Sequence, residues 1–293
     1  MFIVAKKRSG KVNCVYYKSC EKMAEIPDGT IDLIITSPPY FNIKDYSKDG
    51  YQAERHSDLN KADLGSYETF DDYIKVLLVV WKECERVLAD NGKLCINVPL
   101  LPMIKKDYST HYNRDIFDIQ SSIQNSIIKE TNLYLMDLYI WNRTNSSKKL
   151  MFGSYPYPKN FYAQNTTEFI TVYVKDGKPK SVSKERKEQS VLSQDEWVSF
   201  TKQIWDIPIP NKGDIGFGKH SAIMPEEIPY RLIKLFSYVD DIVLDPFAGS
   251  GTTLRVAKQL GRNYVGYELY QNYKSVIDEK LGTVKRGELL GKK

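Results

Sequence analysis

The feature of this sequence that most restricts its fold is a strand that runs directly into two adjacent prolines. The stretch "DLIITSPPYFN" at residues 32–42 overlaps a continuous apolar run, Ile31–Thr36, which is typical of parallel strands covered on both faces. Pro38 and Pro39 lack backbone N–H groups, and each keeps the residue before it out of the helical region. Residues 37–40 are therefore predicted to be extended and stiff, with carbonyl groups that find few N–H partners nearby.

The remaining pattern indicates an α/β fold. Apolar strands alternate with segments of helical periodicity at both ends of the chain, which predicts a doubly wound, mostly parallel sheet with helices on both faces. Strands are predicted over residues 11–17, 31–36, 93–98, 134–141, 168–174, 242–244 and 264–267. Helices are predicted over residues 19–26, 73–88, 225–236, 252–260 and 271–281, with another inside 107–129. Residues 178–189 are charged and predicted to be weakly structured, and the middle of the chain interrupts the alternation.

Composition places the chain among cytoplasmic globular proteins without a membrane partner. Its 293 residues are 42% hydrophobic, enough for one large core or two modest ones. The longest apolar run, near residues 76–81, is far too short to span a bilayer, and the amino terminus does not resemble a secretory signal. The four cysteines form no Cys-x-x-Cys pair, so the sequence indicates neither a zinc site nor a redox motif.

Positive charge is concentrated in the middle of the chain. Between Trp141 and His220 there are thirteen Lys or Arg residues and eight Asp or Glu residues, so this stretch carries the whole net charge of +5. Such an excess indicates a segment that faces a polyanion. The alternative, an ordinary solvated surface, stays open on charge alone.

A second constrained segment, "VLDPFAGSGTTLRVAKQLG" at residues 243–261, predicts a strand, a glycine-rich turn and a helix. Gly249 and Gly251 allow a tight turn and the close approach of a ligand to the backbone. Glu268 ends the next predicted strand, where a carboxylate can bind the two hydroxyls of a ribose. Leu254 replaces the third glycine of a dinucleotide fingerprint, and the lysine of a phosphate loop is missing. The ligand is therefore predicted to contain a ribose without a pyrophosphate, the alternative being a turn that serves only packing.

Both constrained segments resemble motifs of one enzyme family. "DPFAGSGTT" at residues 245–253 is similar to the S-adenosylmethionine loop of DNA amino-methyltransferases, and "TSPPY" at residues 36–40 resembles their catalytic motif. The catalytic motif comes first and the cofactor loop last, an order that resembles the beta class of this family. The stretches "WNRTN" at 141–145, "EFITVYVK" at 168–175 and "KHSAIMPEEIPYRLI" at 219–233 are also similar to family segments.

The resemblance implies a circularly permuted, Rossmann-like methyltransferase fold that uses S-adenosyl-L-methionine, acts on double-stranded DNA and needs no metal. Residues 1–145 would form the catalytic half, 146–218 a target-recognition region that binds DNA, and 219–293 the cofactor-binding half. The implied catalytic residues are Ser37, Pro38, Pro39 and Tyr40. The implied cofactor-binding residues are Asp245, Pro246, Phe247, Ala248, Gly249, Ser250, Gly251, Thr252, Glu268 and Ser19. The candidates for contact with DNA phosphates are Arg143, Lys148, Lys149, Lys184, Arg186 and Lys187.

The residues at 37–40 suit methylation of an exocyclic base amine. Such an amine is a poor nucleophile because its lone pair is delocalised into the ring, and inside a duplex the base must first be flipped out. The Ser37 hydroxyl and the Pro38 carbonyl can each accept one amine hydrogen, which favours a pyramidal nitrogen, while Tyr40 can stack on the base. A cytosine carbon-5 methyltransferase would instead need a nucleophilic cysteine, usually after a proline, and no cysteine here follows a proline.

The resemblance favours cytosine N4 as the target, because family members with Ser-Pro-Pro-Tyr mostly modify cytosine. Adenine N6 stays the alternative, since both bases present an amine beside a ring nitrogen. An inactive DNA-binding partner with the same fold and an enzyme acting on RNA or on protein glutamine are further alternatives. A cognate restriction endonuclease and a second copy of the chain are the candidate protein partners.

One position departs from the family pattern. Family members usually carry Gly-Asp in the turn before the catalytic strand, and that acid contacts the adenine of the cofactor. This chain has "YYKSC" there at residues 16–20, with Ser19 aligned to the acid. Either Ser19 or another residue must therefore make the adenine contact.

Overall fold

The computed structural model describes residues 10–41, 64, 67, 69–104, 114–145, 156–159, 163–211, 213, 215 and 223–290. The strands are β1 (Cys14–Tyr16), β2 (Ile31–Thr36), β3 (Leu88–Pro99), β4 (Leu101–Ile104), β5 (Arg114–Phe117), β6 (Leu133–Arg143), β7 (Thr167–Lys175), β8 (Ile204–Ile207), β9 (Ile242–Asp245) and β10 (Asn263–Tyr267). The helices are α1 (Phe70–Val87), α2 (Ile119–Glu130), α3 (Lys184–Gln189), α4 (Gln194–Phe200), α5 (Glu227–Phe236), α6 (Thr252–Gln259) and α7 (Lys274–Gly282).

Eight of the ten described strands form one sheet in the order β1-β10-β9-β2-β3-β7-β6-β8. The first five of these run parallel to one another, whereas β7 is antiparallel to both β3 and β6. The strands β4 and β5 pair with each other in a separate antiparallel sheet. Leu33 on β2 lies opposite Val243 on β9, so the first and last parts of the chain meet in the middle of the sheet.

Helices cover both faces of the sheet, which confirms the predicted doubly wound α/β fold. On one face, α1 and α2 contribute buried side chains such as Trp81 and Ile123. On the other, α5, α6 and α7 contribute Leu232, Leu254 and Ile277. Strand β2 is buried between the two layers, which explains its nearly continuous apolar sequence. Among the described residues, no helix has both the length and the apolar composition needed to cross a membrane.

The predicted helix over residues 19–26 is wrong, because the chain forms turns there. Side chains of α1 make the hydrogen bonds that a helix would make within itself. Arg86 donates to the carbonyls of Met23 and Ile26, each at 3.0 Å, and Glu83 accepts from the Met23 N–H at 2.8 Å. This segment is therefore a turn that two side chains of α1 hold in place.

The middle of the chain contributes two strands to the main sheet. Strand β7 lies between β3 and β6, and β8 forms the edge beside β6. The sequence predicted β7 but neither β8 nor α4, although Ser193 and Glu196 form the capping box that marks the start of α4. Part of the stretch predicted to be weakly structured forms α3, which begins after the N-cap residue Ser183.

Candidate active site

A cleft opens at the carboxyl ends of β1, β2, β9 and β10, the edge of an open α/β sheet where ligands bind. It encloses about 910 Å³, including space open to solvent, which suits a ligand of cofactor size. The predicted site residues that line it are Ser19, Ser37, Pro38, Pro39, Tyr40, Asp245, Pro246, Phe247, Ala248, Gly249, Ser250, Thr252 and Glu268. Two motifs that are some two hundred residues apart in sequence therefore share one cleft.

The acceptor segment, residues 37–40, begins where β2 leaves the sheet. The Ser37 hydroxyl donates its proton to the main-chain carbonyl of Asn97 on β3 at 3.0 Å. Because a hydroxyl has only one proton, the Tyr40 hydroxyl, 3.0 Å from Ser37 Oγ, must donate to Ser37. The Ser37 oxygen therefore keeps one lone pair for a further donor. The Pro39 carbonyl accepts from the Tyr73 hydroxyl at 2.9 Å, whereas no described residue donates to the carbonyl of Pro38.

The glycine loop, residues 245–251, connects β9 to α6. Gly249 and Gly251 have φ angles of 51° and 80°, in the left-handed region that favours glycine. The Ala248 N–H donates to a carbonyl of β10 at 2.8 Å, and the Gly251 N–H donates to the Ala248 carbonyl at 2.7 Å. A Cβ atom added at Gly251 would lie 3.3 Å from the side chain of Ile277 on α7. This loop therefore needs glycine at position 251 both for its backbone conformation and for its packing on α7.

The buried carboxyl of Asp245 ties the glycine loop to the catalytic strand. Its Oδ1 accepts from Thr36 Oγ1 on β2 at 2.8 Å and from the Phe247 N–H at 3.1 Å. Burial raises the pKa of this carboxyl to about 6, although hydrogen bonds from Thr253 and Thr36 favour the charged form. Asp245 thus fixes the junction between the acceptor segment and the glycine loop.

The carboxylate of Glu268 lies at the end of β10 and is also buried. Its Oε2 accepts from the Gly249 N–H at 2.8 Å, and its Oε1 accepts from the Tyr270 N–H at 2.9 Å. A carboxylate offers about four acceptor sites and no donor. The group that holds the glycine loop can therefore also accept hydrogen bonds from the hydroxyls of a ribose.

Ser19 lines the cleft just after β1. Its hydroxyl donates to Glu21 Oε2 at 2.7 Å and accepts from the Glu21 N–H at 3.2 Å. Since its only proton goes to Glu21, Ser19 can offer a ligand no more than a lone pair. That lone pair is compatible with an exocyclic amine of a nucleobase, and the role of Ser19 in adenine binding stays a prediction.

Arg143 ends β6 at the same edge of the sheet as the cleft. Its Nη1 lies 3.3 Å from Glu168 Oε1, and Glu168 Oε2 accepts from the side-chain amide of Asn97 at 2.7 Å. Arg143 is thus connected, through the buried carboxylate of Glu168, to Asn97, whose main-chain carbonyl accepts the Ser37 proton. The two lysines that follow, Lys148 and Lys149, lie outside the described residues.

The cations of α3 lie at the opposite edge of the sheet. Arg186 donates to the Val239 carbonyl and pairs with Asp241, each at 2.7 Å, immediately before β9 begins. The Arg186 guanidinium thus takes part in an internal ion pair, and its contact with DNA stays a prediction. Lys184 and Lys187 are on the same short helix, remote from the cleft.

The sequence analysis did not identify two polar residues of the site, Asn97 and Lys280. Asn97 is a buried amide within the apolar run of β3, where its neighbours predict only a strand. Lys280 on α7 is 1% exposed and donates to Ser250 Oγ at 2.9 Å and Thr252 Oγ1 at 2.8 Å. Its spacing of three residues from the buried Ile277 places it on the inner face of α7, and this periodicity could have identified it.

Known proteins resemble the chain over nearly its whole length. The family model described as DNA methylase, for N6 and N4 methyltransferases, matches residues 31–279. The type II methyltransferase M.MjaI of Methanocaldococcus jannaschii is 30% identical over 283 residues, which cover 92% of this chain and 90% of M.MjaI. The type II methyltransferase M.HinfI of Haemophilus influenzae is 28% identical over 289 residues, covering 94% of this chain and 69% of M.HinfI.

Solved structures also resemble this chain in fold. The TTHA0409 protein of Thermus thermophilus, solved in complex with S-adenosyl-L-methionine, superposes with a TM-score of 0.72 at 26% identity and covers 93% of this chain and 98% of its own. The cytosine-N4-specific PvuII DNA methyltransferase superposes with a TM-score of 0.66, covering 93% of this chain and 87% of its own. Its identity to this chain is 17%, so this second likeness concerns the fold alone.

Proposed function

Because this chain belongs to the DNA methylase family of N6 and N4 amino-methyltransferases, we propose that it methylates the N4 amine of cytosine in double-stranded DNA, with S-adenosyl-L-methionine as the methyl donor. The family gives the enzyme class, a DNA methyltransferase that acts on an exocyclic amine. One observation supports methyl transfer to an exocyclic amine in this chain: Ser37 and Pro38 line the same cleft as the glycine loop and Glu268.

The residues of the cleft fit this cofactor. Glu268 would hold the ribose hydroxyls, and Gly249 and Gly251 let the loop backbone approach the ligand closely. Ser19 would accept from the adenine amine with the lone pair that its bonds to Glu21 leave. Bound S-adenosylmethionine supplies an electrophilic methyl group on its sulfonium.

Ser37 and Pro38 would prepare the target amine for attack. Ser37 gives its own proton to Asn97, so toward the amine it can act only as an acceptor. The Pro38 carbonyl is the second acceptor, and hydrogen bonds to both amine hydrogens favour a pyramidal nitrogen with its lone pair directed away from them. The protein thus contributes positioning and fixed dipoles, which act where the amine acquires positive charge.

The choice of cytosine depends on Ser37, because family members with Ser-Pro-Pro-Tyr mostly modify cytosine. Adenine N6 is the second candidate, since a hydroxyl and a carbonyl can accept hydrogens from either base amine. The beta-class assignment, a target-recognition role for residues 146–218, a cognate restriction endonuclease, a homodimer and a cytoplasmic location stay predictions.

Nucleoside analysis tests the proposal directly. The protein is incubated with mixed-sequence DNA and S-adenosylmethionine, and the digested DNA is compared with N4-methylcytosine and N6-methyladenine standards by mass spectrometry. We expect N4-methylcytosine from the parent and from the control variant Ser126→Ala on α2, and no product from Ser37→Ala. Only N6-methyladenine would overturn the choice of base. Cofactor and DNA binding without either product would instead identify an inactive DNA-binding partner.

A further inference from the structure

We propose that Lys280 is a positioning residue for the amino-acid arm of the cofactor, and that its charge selects ligands that carry a carboxylate there. This inference rests on the proposed use of S-adenosylmethionine. Lys280 lies on α7, outside both sequence motifs, and its side chain is fully buried behind the glycine loop.

The hydrogen bonds of Lys280 determine what the loop hydroxyls can offer a ligand. Its ammonium can only donate, so Ser250 Oγ at 2.9 Å and Thr252 Oγ1 at 2.8 Å both act as acceptors toward it. Each hydroxyl keeps its own proton, and the 3.3 Å contact between them can use only one of the two. At least one O–H donor therefore remains for an acceptor in the cleft, which both residues line.

The position of this donor indicates which part of the cofactor it meets. Glu268 bonds to Gly249, so the ribose end of the ligand would lie beside the start of the glycine loop. Ser250 and Thr252 follow at the amino end of α6, where the helix dipole also favours an anion. The carboxylate of the methionine arm is the anionic group of S-adenosylmethionine. The geometry thus places hydroxyl donors, a helix amino end and a buried ammonium on one side of the loop.

A purely structural role for Lys280 is the competing explanation. The helix α7 already contacts the loop through Ile277, whose side chain would lie 3.3 Å from a Cβ at Gly251. If Lys280 only helped α7 to pack, its loss would disturb the whole glycine loop and lower the affinity of every ligand that binds in the cleft. If Lys280 acts on the carboxylate of the cofactor, its loss would lower the affinity only of ligands that carry a carboxylate.

Calorimetry with two ligands separates these explanations. S-adenosylhomocysteine carries the amino-acid arm, whereas 5′-methylthioadenosine has the same adenosine and thioether without it. For Lys280→Met we expect roughly tenfold or greater loss of affinity for S-adenosylhomocysteine, because charge-assisted bonds are removed, and a change within about twofold for methylthioadenosine. Lys280→Arg should recover most of the lost affinity.

The remaining outcomes are also decisive. Equal loss for both ligands, or no loss for either, would overturn the role of Lys280 while leaving the proposed function intact. A parent protein that binds neither S-adenosylmethionine nor S-adenosylhomocysteine would instead refute the proposed function. If Lys280→Met does not fold, the double variant Ser250→Ala with Thr252→Val replaces it, because it removes both hydroxyl donors that Lys280 holds. The same selective loss is then expected, and an equal effect on both ligands would overturn the inference.

Discussion

At the scale of single residues, Asp245 should make stability depend on pH in an unusual direction. Its pKa is raised from 3.8 to about 6 by burial, so between about pH 4 and pH 6 the unfolded chain loses this proton while the folded chain keeps it. The stability that this carboxyl contributes is therefore full below about pH 4 and lost as the pH rises to about 6. Integrated over the window, the loss is about 2–3 kcal/mol.

Asp245→Asn removes this titration and gives the measurement its reference. The free energy of unfolding of both proteins, from urea titrations at several pH values between 4 and 7, gives a difference in which other ionising groups cancel. We expect the parent to lose about 2–3 kcal/mol relative to the variant across this range. Parallel curves would show that the carboxyl ionises with an ordinary pKa in the folded protein.

Glu268 should affect every adenosine ligand, in contrast to Lys280. Because its carboxylate holds Gly249 and is proposed to bind the ribose, Glu268→Ala should weaken the binding of S-adenosylhomocysteine and of methylthioadenosine alike, by roughly tenfold or more. Calorimetry measures both affinities, and circular dichroism checks that the variant is folded. The exposed Glu130→Ala on α2 is the matched control and should bind both ligands as the parent does. Unchanged affinity in folded Glu268→Ala would refute the ribose assignment.

At the scale of elements, the sequence predicted those that a local residue pattern specifies. The strand β9, the glycine loop and α6 lie within one residue of their predicted bounds, because glycine and helical periodicity specify them. The helix predicted over residues 19–26 does not form, because the backbone there is hydrogen-bonded by Arg86 and Glu83, which come about sixty residues later in the chain. The four-residue strand β8 is too short to show a period, and its place beside β6 is a long-range contact.

The glycine loop offers an element-scale test of packing on α7. Gly251 has a φ of 80° and only 3.3 Å between its added Cβ and Ile277, so Gly251→Ala should destabilise the protein by about 1–3 kcal/mol. Gly282, the last residue of α7, has nothing within 4 Å of its added Cβ, and Gly282→Ala should be neutral or slightly stabilising. Urea unfolding of both variants measures the contrast. Equal effects would show that the loop relaxes away from Ile277.

At the scale of the whole molecule, the site depends on contacts that neither motif predicts alone. The acceptor segment and the glycine loop meet because β2 and β9 pair directly, a register that the sequence pattern does not specify. The network from Arg143 to Asn97 crosses β6, β7 and β3, and its middle strand runs antiparallel to both neighbours. Only the resemblance to a known family indicated that the two motifs share one site. The order of the strands in the sheet then showed which polar residues connect the two motifs.

Also at the scale of the whole molecule, we expect DNA to bind at the carboxyl edge of the sheet and not at the amino edge. The cleft lies at the carboxyl edge of the sheet, whereas α3 is fixed at the amino edge by the pair between Arg186 and Asp241. Lys148 and Lys149, although outside the described residues, follow Arg143 closely in sequence. We therefore expect DNA to bind at the carboxyl edge, where Arg143 ends β6.

Two matched double variants test this placement. Lys148→Glu with Lys149→Glu should weaken DNA binding and reduce the slope of log affinity against log salt by about two, one for each lysine–phosphate pair that the substitutions remove. Lys184→Glu with Lys187→Glu changes the net charge equally, yet it should leave the slope as in the parent, because α3, which carries these lysines, is fixed at the opposite edge of the sheet from the cleft. Fluorescence anisotropy at several salt concentrations measures both. A slope reduced equally by the second pair would mean that DNA also contacts the amino edge, and that the charge excess of the middle segment acts as one surface.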